Sequence, residues 1–111
     1  LMAIDYPDVE LLVIDDRSTD NTPEILRALA VEYAEQGFRY KVRPVGSLPG
    51  KSAVLNEALA ETAGEVIVVF DSDALVAPDF LRKIIPFLAD EGVAAVQARK
   101  VISNASTNLL T

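Results

Sequence analysis

Apolar and polar positions alternate along this chain in two different rhythms. Four short apolar runs stand at residues 10–14 (ELLVI), 40–45 (YKVRPV), 66–70 (VIVVF) and 93–98 (VAAVQA). The first and third are unbroken and rich in β-branched residues, which predicts parallel strands covered on both faces. Charges and Pro44 interrupt the second, which predicts a strand nearer an edge. Between the runs the rhythm is helical. Residues 23–36 place Ile25, Leu26, Leu29, Ala30 and Tyr33 on one face, with Thr22 as N-cap, Pro23 at N1 and Gly37 beyond the end. Residues 52–62 group Val54, Leu55, Ala58 and Leu59, closed by Gly64. Residues 78–89 carry the stripe Phe80, Leu81, Ile84, Ile85 and Leu88 and end at Gly92, with Pro86 expected to kink the helix. This β-α-β-α-β-α-β order predicts an α/β fold, a mostly parallel sheet with flanking helices.

Composition narrows the chemistry. In 111 residues, 17 Asp and Glu face 10 Lys and Arg, for a net charge of −7. That balance argues against a nucleic-acid partner or a basic membrane-surface module. There is no Cys and no His. Triads built on imidazole or thiolate are therefore excluded, as are zinc sites made from those ligands. No apolar run approaches the roughly 18 residues that suggest a bilayer span. The start at Leu1 and the end at Leu109-Leu110-Thr111, which reads as a first helical turn, suggest part of something longer.

In open α/β sheets, ligands bind beyond the carboxyl ends of the strands. Three polar groups are predicted there: Asp15 to Asp20 after the first strand, the stretch before Lys51 after the second, and Asp71-Ser72-Asp73 after the third. Asp71 and Asp73, two residues apart at a strand end, would share one side and suit a hard cation. The competing reading is an ordinary turn or cap. Asp15-Asp16 offers acceptors for a nucleobase N–H or ribose hydroxyls, or belongs to a turn rich in self-bonding side chains. Asp20 and Thr22 read as organisers of that turn. Lys51, at a helix start, is either a phosphate contact or a surface lysine. Asn56, inside the second helix, reads as structural.

These segments resemble glycosyltransferase family two. Asp15-Asp16-Arg17-Ser18-Thr19-Asp20-Asn21-Thr22 resembles its V-D-D-x-S-x-D-x-T signature. Gly50-Lys51-Ser52-Ala53-Val54-Leu55-Asn56 is similar to its G-K-x-x-A-L-N segment, and Asp71-Ser72-Asp73 to its D-x-D, with Pro78 to Leu81 as the following helix start. Tyr6-Pro7 before the first strand also fits. Val96-Gln97-Ala98-Arg99, Asn104 and Leu109-Leu110-Thr111 resemble the processive, membrane-embedded branch with cellulose synthase and poly-N-acetylglucosamine synthase.

The resemblance implies a Rossmann-like, nucleotide-sugar-binding half of a GT-A domain, so that residues 1–111 would form a partial catalytic domain. By carry-over, Asp16, with Asp15 beside it, would bind the uracil and ribose of a UDP-sugar. Lys51 would lie near the diphosphate. Asp71 would face the ribose and metal, and Asp73 would be the main ligand of Mn²⁺ or Mg²⁺. The implied reaction is inverting sugar transfer to a saccharide or lipid-linked acceptor, in polysaccharide synthesis at the cytoplasmic face. The family's first strand, catalytic base, Gln-x-x-Arg-Trp motif and membrane helices have no match here. No catalytic base is therefore assigned, the chain alone is expected to be inactive, and any membrane contact falls to an integral membrane parent. Asn104-Ala105-Ser106 matches a glycosylation sequon that would be fortuitous on that side.

Two other readings compete. A haloacid-dehalogenase-type phosphatase also follows an apolar strand with D-x-D, but on its first strand and without an Ala at the position of Ala74. A non-enzymatic domain, receiver-like or nucleotide-binding without turnover, shares the acidic pair, with Lys100 only a loose match to a receiver's lysine.

Overall fold

The structure is a computed structural model and describes residues 3–101. Asn104, the sequon and Leu109 to Thr111 lie outside the described residues. Two compact units are present, one formed by residues 7–74 and the other by 3–6 with 75–101.

In the first unit, β1 (Leu11–Asp15) and β2 (Phe38–Val42) pair in parallel, with Leu11 opposite Phe38 and Asp15 opposite Val42. Helix α1 (Thr22–Glu32) connects them and packs on both. Leu26 of α1 and Phe38 of β2 are buried, and Tyr33 meets Phe38 with ring centroids 6.5 Å apart. Helix α2 (Lys51–Ala60) follows and packs against β1. The fold is thus α/β, a small parallel sheet with flanking helices.

The boundaries have local causes. A 3-10 turn (Ala34–Gln36) ends on Gly37 at φ 76°. Any Cβ there would lie 2.7 Å from the Val9 carbonyl oxygen, so the chain enters β2 through a position that only glycine fills without strain. Gly37 O accepts from Leu11 N at 2.9 Å, and the ladder starts at residue 38, earlier than the apolar run predicts. Pro44 has no N–H, so the last rung is Arg43 N to Asp15 O at 2.9 Å. The N-cap of α1 is Asn21 rather than Thr22. Asp20 instead accepts from the Thr22 amide at 3.0 Å and its hydroxyl at 2.5 Å. Ile25 is half exposed and lies off the buried stripe. Helix α2 ends at Ala60, short of Gly64.

The expected strands at 66–70 and 93–98 do not form among the described residues. A β-branched run becomes a strand only when a neighbouring edge pairs with it. Residues 66–70 do not join the ladder, and Val66, Ile67, Val68 and Val69 stay 39–50% exposed.

In the second unit, α3 (Phe80–Ile84) buries Leu81 and passes into a 3-10 turn (Ile85–Ala89). The change falls at Pro86, which lacks the N–H an α-helix needs, as the sequence predicts. Asp5 accepts from Arg82 at 3.0 and 3.2 Å, and the guanidinium lies 6.0 Å from the Tyr6 ring centroid.

Candidate functional site

The carboxyl end of the β1–β2 ladder gathers charge from four segments. Successive residues of a strand point to opposite sides, so Asp15 and Asp16 cannot act alike. Asp15 turns inward and is 4% exposed. Its Oδ1 accepts from the Ser18 amide at 3.1 Å and from the Ser18 hydroxyl, which folds the chain sharply after β1. Its Oδ2 is buried with no hydrogen bond among the described residues. Asp16 turns outward, with a third of its side chain exposed.

Two arginines hold Asp16. Arg43 Nη1 donates to Asp16 Oδ1 at 2.6 Å. Arg17 Nε donates to the same oxygen at 2.9 Å, and Arg17 Nη2 reaches Oδ2 at 3.4 Å. Arg17 has φ 63°, a left-handed conformation that folds its side chain back on its neighbour and toward the Ser47 carbonyl at 3.3 Å. Hydrogen bonding from Arg17, then from Arg43, holds the Asp16 carboxyl below its ordinary range. The Arg43 side chain is fully enclosed, and it also forks onto both oxygens of Glu57, in α2, at 3.1 and 2.8 Å. Hydrogen bonding to Arg43 lowers the Glu57 pKa. The same contact raises that of Arg43.

Lys51 opens α2 behind Gly50, whose φ of 98° favours glycine. Its side chain is 64% exposed, and Nζ lies 2.5 Å from Asp71 Oδ1. Asp71 and Asp73 stand on a turn closed by Ala74 N to Asp71 O at 3.0 Å, not on a strand end. The shared side expected from strand periodicity therefore does not apply, because no ladder among the described residues holds 66–70 extended. Asp73 is exposed, and so is Asn56. No group of three or more metal-ligating residues occurs among the described residues. Asp71 and Asp73 are hard oxygen donors, the ligand chemistry that Mg²⁺ and Mn²⁺ take, with phosphates commonly completing the shell.

The structure thus places Asp15 and Asp16 side by side but with different partners, Ser18 for one carboxylate and Arg17 with Arg43 for the other, and brings Lys51 onto Asp71. It adds Arg17, Arg43 and Glu57, which sequence reasoning did not single out. The parallel register carried the missing signal: with Asp15 opposite Val42, residue 43 must stand beside the residue after Asp15.

These acidic and basic side chains gather beyond the carboxyl ends of parallel strands, where α/β folds bind their ligands. The chain belongs to glycosyl transferase family 2, which it matches over residues 1–110. It is 42% identical to a beta-monoglucosyldiacylglycerol synthase of Synechocystis sp., covering 100% of this chain and 23% of that protein. The Nostoc sp. protein of the same name is 45% identical, with 100% and 24% covered. Glucomannan 4-beta-mannosyltransferase 2 of Arabidopsis thaliana is 33% identical, with 89% and 20% covered. The chain therefore spans about a quarter of the length of the first two relatives. No solved structure matches it significantly. Family membership favours the glycosyltransferase reading over the phosphatase and receiver readings. No helix among the described residues is long and apolar enough to cross a membrane.

Proposed function

We propose that this chain is the donor-binding part of a glycosyltransferase that moves a hexose from a UDP-sugar to an acceptor hydroxyl. The observation that carries the reading is Asp16: a partly exposed carboxylate fixed at the strand's end in a chain of this family. On this reading Asp16 accepts the uracil N–H. Asp15 shapes the turn beneath it through Ser18 rather than touching the base. Lys51 exchanges Asp71 for a donor phosphate.

In the reaction, the acceptor oxygen forms a bond to the anomeric carbon as the bond from that carbon to the diphosphate breaks, inverting the configuration. The acceptor proton passes to a base, and no described residue is assigned that role. Asp71 and Asp73 would hold Mn²⁺ or Mg²⁺, whose charge would stabilise the departing diphosphate. The two relatives named for monoglucosyldiacylglycerol, at 42% and 45% identity, favour a lipid hydroxyl as acceptor and hence work at a membrane's cytoplasmic face. A growing polysaccharide, in the manner of cellulose synthase-like enzymes, is the second reading, supported by the plant mannosyltransferase relative.

Calorimetry of UDP with Mn²⁺ on the full-length protein tests the site. Asp73→Ala is expected to abolish metal-dependent binding, and unchanged binding would show the assignment to be wrong.

A further inference from the structure

Arg43 is the largest fully buried side chain among the described residues, although nothing about enclosure favours a guanidinium. An isolated buried charge is costly, and replacing a whole buried ion pair, both partners together, by well-packed apolar residues often leaves a fold as stable or more so. Stability alone therefore does not account for an arginine here. Its connections do. Two of its nitrogens grip both oxygens of Glu57, and Nη2 also donates to the Leu48 carbonyl at 2.7 Å. These contacts fix the plane of the guanidinium from α2 and from the loop before it. One direction is left, and there Nη1 meets Asp16 Oδ1 at 2.6 Å. The backbone N–H of Arg43 ties the same point to β1 through Asp15.

The consequence for Asp16 is asymmetry. Oδ1 is held by Arg43 at 2.6 Å and Arg17 at 2.9 Å. Oδ2 has a 3.4 Å contact from Arg17, too long for a strong hydrogen bond, and is the oxygen a ligand donor can take over. Arg17 is part-exposed, where a ligand can displace it, whereas Arg43 is enclosed.

We propose that Arg43 is a positioning residue: braced by Glu57, it holds Asp16 so that Oδ2 faces the N–H of the donor's pyrimidine ring. This inference rests on the nucleotide-site reading above. Arg43 touches no part of the donor itself, and its effect is confined to the base end of the site.

Two probes divide the site in the full-length protein: uridine for the base end, and Mn²⁺ with pyrophosphate for the other. Arg43→Lys keeps the charge but loses the planar fork. It is expected to weaken uridine binding on the order of tenfold, with Mn²⁺-pyrophosphate binding unchanged. Arg43→Lys combined with Asp16→Asn should bind uridine no more weakly than Asp16→Asn alone, since the two act as one unit. Glu57→Gln retains Arg43 and weakens its brace, so it gives a smaller loss of about threefold for uridine only. It carries the test if Arg43→Lys fails to fold, as read by circular dichroism. Equal losses for both probes, or losses that multiply in the double variant, would overturn the proposal. If Asp16→Asn loses uridine while Arg43→Lys and Glu57→Gln do not, the positioning role falls and the site stands. If Asp16→Asn binds uridine normally, the site reading itself falls and takes this inference with it.

Discussion

The chain carries two acidic motifs of similar appearance, and the structure treats them in opposite ways. Asp15-Asp16 ends a hydrogen-bonded strand, one carboxylate turned inward onto Ser18 and the other fixed by an enclosed arginine. Asp71-Ser72-Asp73 follows an apolar run outside the ladder and lies on a turn, where Asp71 meets a lysine that is 64% exposed. The first pair is preorganised and the second is adjustable. On the proposed reading this division suits the ligand. A flat base is recognised by fixed acceptors, whereas a metal-bridged diphosphate brings part of its own coordination shell.

The contrast breaks most readily at Arg43. Arg43→Met removes the enclosed cation between Asp16 and Glu57, leaving them only the exposed partners Arg17 and Lys41, and the thermal midpoint should fall by about 5 °C or more. A fall of a degree or two would mean that the first pair is no better anchored than the second.

Acid should act on the same network with a smaller amplitude. Arg17 first, and then Arg43, holds Asp16 below its usual pKa, and Arg43 does the same for Glu57. Both carboxylates bind protons more weakly in the folded chain than in the unfolded one, so their stabilising contribution is complete above the unfolded range near pH 4. It is lost as pH falls through the lower, folded values. The difference in thermal midpoint between the native chain and Glu57→Gln should therefore be steady above about pH 5 and shrink below about pH 4. A difference that stays constant down to about pH 2 would detach Glu57 from Arg43 in solution.

The smallest effect is expected at the second pair. Exposed ion pairs contribute little, so Lys51→Ala should move the thermal midpoint by no more than about two degrees. A larger drop would show that the Lys51–Asp71 contact is a structural tie and not an exchangeable one.

Much of this was legible where the cause is local. Asp20 reaches Thr22 two residues away, Pro23 opens α1, and Lys51 begins α2, all within the span of one turn. The family was legible too, because its three motifs stand in order along the chain. What escaped depends on distant partners. Whether residues 66–70 form a strand is decided by an adjacent edge, not by their β-branched side chains. Arg43 looks like an ordinary edge charge until register sets it beside Asp16, 27 residues earlier. Asp15 and Asp16 could have been told apart, since strand alternation already assigns neighbours to opposite sides.

The run at 66–70 has a colloidal consequence. VIVVF combines high β-propensity with no charge, proline or glycine, and most of it is exposed. Such segments stack into intermolecular sheets when they are exposed. Glu65 and Asp71 stand immediately on either side. Charges in these places act as gatekeepers, since stacking chains in register would pile like charges on one another. Asp71 is thus under a second constraint unrelated to the proposed donor site: neutralising it removes a guard as well as the metal ligand proposed above. Asp71→Ala preparations should be compared with Asp73→Ala by light scattering before any loss of binding is credited to the metal.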